Sequence, residues 1–132
     1  MSNVLPRPEE IFFLLCEDVR QEIDKKLSLL GVFTGGGMIV PKGSTISNIN
    51  FMCVWFVRGG IGKFAVDFEL AGPAQFNSVK AASGTLDKAT ADHAVLVFAF
   101  KPLPGMPTGT YKAQLFLDGN KFEQSFDVIE AT

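Results

Sequence analysis

Residues 63–70 read Lys-Phe-Ala-Val-Asp-Phe-Glu-Leu, with Phe64, Val66, Phe68 and Leu70 alternating with Lys63, Ala65, Asp67 and Glu69. Only a period of two sends those sets to opposite sides, so the segment is a half-buried strand. The pattern recurs near the C-terminus, where Tyr111, Ala113, Leu115 and Leu117 alternate with Lys112, Gln114, Phe116 and Asp118. Phe122, Phe126 and Val128 then oppose Lys121, Glu123, Ser125 and Asp127. Two other runs, Phe-Met-Cys-Val-Trp-Phe-Val over 51–57 and Val-Leu-Val-Phe-Ala-Phe over 95–100, are apolar on both sides. Their shortness and their β-branched and aromatic content predict strands, not helices.

The punctuation agrees with this pattern. Asp118-Gly119 stands between two alternating runs, the strongest short-range hairpin signal. Gly59, Gly60 and Gly62 join two strands through residues that tolerate positive φ. Glycines at 35–37, Pro41 with Gly43, and Pro102, Pro104 and Pro107 break the chain elsewhere. Turn signals this frequent predict an all-β, single-domain antiparallel β-sandwich over residues 1–132, with about 7–8 strands. Residues 1–9 read as a flexible N-terminal arm.

The N-terminal third supports two readings. Val19, Ile23, Leu27 and Leu30 recur at helical spacing, with Glu22 four residues before Lys26 and Gly31 as a C-terminal cap. The alternative is a strand over 11–16, a polar turn or short helix within 17–25, and a strand over 26–33. Ile11-Phe12-Phe13-Leu14-Leu15 would circle a helix completely, which suits only an enclosed one.

Leu15-Cys16-Glu17-Asp18-Val19-Arg20, followed by Lys26-Leu27-Ser28-Leu29-Leu30-Gly31-Val32-Phe33, resembles the opening of a family of small uncharacterised bacterial proteins. Their pattern runs Cys-Asp-Asp-Val-Arg, a polar turn, then Lys-Leu-x-Leu-x-Gly-Val-Phe. Glu17 replaces the first aspartate. Gly109-Thr110-Tyr111 and the closing hairpin fit the family's last strand pair. The resemblance covers about a third of the chain, favours the two-strand reading, implies a β fold and brings no catalytic residues. A second resemblance is to immunoglobulin-like sandwiches. There a tyrosine opening the penultimate strand bonds its hydroxyl to the preceding corner. Tyr111, the only tyrosine, follows a proline-rich corner, and Trp55, the only tryptophan, lies on a central apolar run.

Composition narrows the function classes. Apolar residues make up 47% of the chain and charged ones 20%, which excludes intrinsic disorder. A net charge of −2 leaves no basic footprint for nucleic acid or anionic membrane. No apolar run reaches the ~20 residues of a membrane helix. The start shows no basic, apolar and small-residue succession of a secretory signal, so the expected address is cytoplasmic. Cys16 and Cys53 each lie inside an apolar run and read as buried, reduced thiols with no disulfide.

Candidate chemistry is sparse. Gly60-Ile61-Gly62-Lys63-Phe64-Ala65 matches the dinucleotide fingerprint formally, but that site needs a following helix, and residues 63–70 alternate as a strand. A P-loop fails at Val57 and Phe64. His93 is the sole histidine and reads as a solvated residue before a strand; neither cysteine has a CxxC neighbour for zinc. Asp18, Arg20 and Asp24 stand in the densest charged stretch and form a possible interaction loop, or else a solvated turn with Asp18 bonding its own backbone. No catalytic, cofactor or metal residues are assigned.

The informative excess is apolar. Segments 11–16, 27–33, 51–57 and 95–100 carry two apolar faces, whereas an antiparallel sandwich needs one. The expected function is therefore non-enzymatic: a sandwich module acting by protein–protein contact, with itself as a homo-oligomer or with another protein. The alternative is a small-molecule or glycan-binding module using loops 34–44 and 102–110. An enzyme built from scattered residues such as Asp18, Arg20 and His93 is the third reading.

Overall fold

The computed structural model describes residues 3–24, 26–34, 37–40, 51–74, 76–88, 93–100 and 107–130. A 3-10 turn at Pro8–Glu10 leads into β1 (Ile11–Gln21), followed by β2 (Leu27–Val32), β3 (Gly37–Val40), β4 (Phe51–Val57) and β5 (Gly62–Ala71). Then come β6 (Val79–Lys88), β7 (Ala94–Phe100), β8 (Gly109–Leu117) and β9 (Asn120–Glu130). One sheet has the order β2-β1-β4-β7 and the other β3-β9-β8-β5-β6. Every pairing is antiparallel except β3 beside β9.

The chain is thus an all-β sandwich. It leaves the first sheet after β4, makes the β5–β6 hairpin in the second, returns for β7 and crosses again to the β8–β9 hairpin. That back-and-forth course is the Greek-key habit of immunoglobulin-like domains. The described residues hold nine strands, more than the seven or eight expected. β3 and β6 were not legible: Gly37–Val40 is short, and Val79–Lys88 mixes small and polar residues without a clean alternation.

The N-terminal third is a hairpin, not a helix. β1 runs five residues beyond the expected end at 16, because Asp18, Arg20 and Gln21 pair with Leu30, Ser28 and Leu27. β1 accordingly reaches Gln21 and β2 begins at Leu27, with Glu22 N donating to Lys26 O at 2.7 Å between them. Residues of the expected N-terminal arm are tied to the body: Val4 and Ile61 exchange backbone bonds of 2.8 and 2.9 Å. Asn3 Nδ2 donates to Lys63 O at 2.6 Å and to Asp118 Oδ2 at 2.9 Å.

The inner faces meet in an aromatic core. Trp55 packs 4.7 Å from Phe13, Phe68 stacks 4.4 Å from Phe98, and Phe51 lies 4.9 Å from Phe100. Each fully buried apolar side chain contributes ~1.5–3 kcal/mol from area removed from water. Tyr111 is buried, stacked on Phe126, and its hydroxyl donates to Pro107 O at 2.7 Å, the corner bond expected of such a tyrosine. Asp118 (φ +49) and Gly119 (φ +80) make the two-residue turn between β8 and β9. Lys88 ends β6 buried, its ammonium donating to the carbonyls of Val57, Arg58 and Gly59 at 3.2, 3.3 and 2.6 Å.

Candidate functional site

Register decides which side chains share the outer face of the first sheet. Phe12, Phe56 and Val95 form one row across β1, β4 and β7; Leu14, Val54 and Val97 form the next; Cys16, Met52 and Ala99 the third. Val32 extends the last row onto β2, where Leu30 sits opposite Asp18. Every side chain in the three rows is apolar. Phe12 is 46% exposed, Val32 40%, Val97 39% and Leu14 37%. Water touches this face directly, although Val54 and Cys16 lie sunk among their neighbours.

The second sheet is more polar outside, apart from Ile39 and Ile129, which stand opposite each other at its β3 edge, 60% and 52% exposed. Its outer face carries a polar lattice in which Ser83 donates to Asp67 at 2.6 Å and Lys80 approaches Asp67 at 3.6 Å. Gln114 donates to Glu123 at 2.9 Å and Thr110 to Asp127 at 2.8 Å. These contacts hold the Asp67 and Glu123 carboxyls below their ordinary range, the first chiefly through Ser83 and the second through Gln114. Both faces come from one chain, so the contrast belongs to the sequence pattern and not to the size of the domain.

Charges stand at the two ends of the apolar face. At the Phe12 end, the Arg58 guanidinium carbon lies 5.8 Å from the Phe12 ring centroid, a cation–π distance. Phe12, Leu14, Phe56, Arg58 and His93, together with Ile11, Phe13 and Gln124 of β9 in the other sheet, line an open concavity of about 520 Å³ there. His93 is exposed just before β7, as its sequence context suggested. At the other end, Arg20 Nε stands 3.4 Å from Asp18 Oδ2, and Asp18 Oδ1 accepts from Val19 N at 2.9 Å.

The expected interaction loop of Asp18, Arg20 and Asp24 needs correction. Asp18 and Arg20 are strand residues of β1, and only Asp24 lies in the turn. A polar stretch looked like a loop because beyond Cys16 β1 pairs only with β2 among the described residues, and its side chains there are exposed or half-buried. Arg58 was not foreseen as a partner of this face; its place directly after the apolar run 51–57 was the available signal.

The two cysteines point to opposite sides. Cys53 faces the core and Cys16 the outer face, on neighbouring strands with Leu15 opposite Cys53. Both are free thiols, and burial pushes both up from the ordinary thiol value. Residues 62–71 form β5, so no helix follows Gly60 to receive a pyrophosphate. Of loop 34–44, residues 37–40 form β3 and residues 35, 36 and 41–44 lie outside the described residues. Of loop 102–110, Gly109 and Thr110 open β8 and residues 102–106 lie outside them.

No family model matches the chain, and no curated protein matches it. Among the described residues there is no cluster of three or more His, Cys, Asp or Glu side chains, and no helix long and apolar enough to cross a membrane.

Proposed function

We propose that the chain is a non-enzymatic β-sandwich module that works by protein–protein contact, its contact surface being the outer face of β2-β1-β4-β7 and its occupant a second copy of itself. The observation that carries this is the three-row apolar face, set against the polar lattice on the other sheet. From strand spacing and rise the three rows cover roughly 300 Å². Patches of that size on single domains are often functional.

A second copy suits the face in charge as well as in apolarity. A two-fold axis along the Leu14–Val54–Val97 row lays β1 antiparallel over β1 of the other copy. Asp18, four residues from Leu14, then falls over position 10 of the other copy, beside which Arg58 donates its backbone N–H to Glu10 O at 2.8 Å. Asp18 of each copy, which also pairs with Arg20 at 3.4 Å, therefore comes over the Arg58 end of the other. Two such faces account for roughly 600 Å² in total, below the range of stable specific pairs, so association is reversible and depends on concentration.

Light scattering and sedimentation over a concentration series test this. The expected result is a mass that rises with concentration, and its loss in Leu14→Lys, which places a charge at an already wetted position. A wild-type chain that stays monomeric at high micromolar concentration rejects the reading.

A further inference from the structure

Strand β7 is the edge of the first sheet, with β4 as its only hydrogen-bonded neighbour among the described strands, and β6 of the other sheet close by. It reads Ala-Val-Leu-Val-Phe-Ala-Phe, without a charge, proline or glycine. Most other edges are guarded or shorter. β6 carries Lys80, Asp87 and Gly84; β2 is short and bent at Gly31 (φ +63); β3 spans four residues; and Ile11–Leu14 of β1, which β2 does not reach, is an apolar edge of four residues against seven in β7. An unguarded apolar edge is a template for another strand.

Ladder parity shows which groups that edge offers. Arg58 N donates to Glu10 O, so even-numbered residues of β1 and β4 bond one another. In the same ladder, odd-numbered residues of β4 bond Ala94, Leu96, Phe98 and Phe100 of β7. The N–H and C=O groups of Val95, Val97 and Ala99 then point away from β4. The core also thins at this edge: Leu96 and Phe98 are half-buried, whereas Trp55 and Cys53 opposite them are fully enclosed.

We infer that β7 pairs edge to edge with β7 of a second copy, antiparallel about Val97, joining two four-stranded sheets into one of eight. This deepens the contact reading above, on which it rests for the identity of the occupant. Val97 lies opposite Val97 of the other copy, Val95 opposite its Ala99, and Leu96 opposite its Phe98. The parity is kept, so inner side chains stay inner and outer ones outer. The same strand is the fitting occupant because Leu96 and Phe98 need apolar neighbours on the inner side, and Val95, Val97 and Ala99 on the outer. The pair axis stands normal to the sheet at Val97, where it meets the face-packing axis along Leu14–Val54–Val97 at a right angle. Two perpendicular two-fold axes that intersect close an assembly at four copies.

The test compares the masses of wild type, Val97→Pro, Val97→Thr and Leu14→Lys by sedimentation. Proline removes the outward N–H of Val97 without removing a bond to β4, and edge strands tolerate it there. The expected result is a wild-type and Val97→Thr tetramer, and half that mass for both Val97→Pro and Leu14→Lys. Amide exchange in the wild type provides a second readout that needs no variant. Val95, Val97 and Ala99 are expected to exchange at least ~10-fold more slowly under assembling conditions than in dilute solution. Val97→Pro at full mass, or edge amides indifferent to concentration, overturns the edge pairing. If Leu14→Lys halves the mass while Val97→Pro does not, face packing stands alone. The reverse outcome leaves edge pairing and removes the face contact. A monomeric wild type removes both.

Discussion

The Tyr111 hydroxyl donates a 2.7 Å hydrogen bond to the Pro107 carbonyl, four residues upstream, and so clamps the start of β8 to the corner that precedes it. The ring is enclosed between Phe126, stacked 5.6 Å away, and Phe76, edge-on at 5.0 Å. The bond itself is part-buried at the corner. Burial also pushes the phenol up to about 12.

Tyr111→Phe keeps the ring and deletes the bond, leaving the Pro107 carbonyl without its donor. The expected loss is about 1–2 kcal/mol, read as a lower urea midpoint at unchanged slope. Because the folded phenol holds its proton more tightly than the unfolded one, its contribution is complete below pH 10 and lost as pH rises through about 12. The variant is expected to show a flatter alkaline limb.

Asp118 accepts from Ala65 N at 2.7 Å and from Asn3 Nδ2 at 2.9 Å, and these bonds, Ala65 first, hold its carboxyl below the ordinary range. A carboxyl lowered on folding stabilises the fold above its unfolded value and stops doing so as pH falls through the folded one. Asp118→Asn keeps a residue suited to the turn's positive φ and removes the titration. Urea midpoints at pH 7 and pH 3 are expected to differ less in the variant than in the wild type. An equal acid loss in both would assign the acid limb to Glu10, Asp67 and Glu123, whose carboxyls are also held low.

Trp55 sits at the centre of the core with its indole Nε1 buried and without a hydrogen-bond partner. An unmet buried donor costs about 1–3 kcal/mol. Trp55→Phe removes that cost while opening a modest cavity, so the expected net change in unfolding free energy lies within about 1 kcal/mol of zero. Phe68→Ala, which only opens a cavity, is expected to lose about 3–5 kcal/mol in the same denaturant titration.

Lys88→Met keeps the length of a buried side chain but removes the ammonium from the carbonyls of Val57, Arg58 and Gly59. Backbone acceptors in that turn then lose a charged donor, and the expected destabilisation is about 2–4 kcal/mol. Thermal unfolding checks it, with Lys88→Arg as the variant that retains charge.

The legible part of this chain was the part governed by neighbours in sequence. Alternation at 63–70 and 111–117 marked β5 and β8, Asp118-Gly119 marked the last hairpin, and Tyr111 after its proline corner marked the clamp. β6 escaped because Ala, Ser, Gly and Thr along Val79–Lys88 carry little periodic contrast. Asp18 and Arg20 were read as a loop because their polarity reflects a strand end whose side chains are exposed or half-buried on both sides.

Local pattern alone settled that this chain is built of β-strands, since a period of two admits no other regular structure, and that several of them are apolar on both faces. The arrangement in space decided which of those two faces is core. In a run such as 51–57 a reader of letters finds no difference between Cys53 and Val54, yet one packs against the opposite sheet and the other looks outward. Periodicity fixes only that neighbouring residues lie on opposite sides. The choice of side, and of β7 as an edge, follows from which strands finally stand beside which, and that depends on contacts between distant parts of the chain.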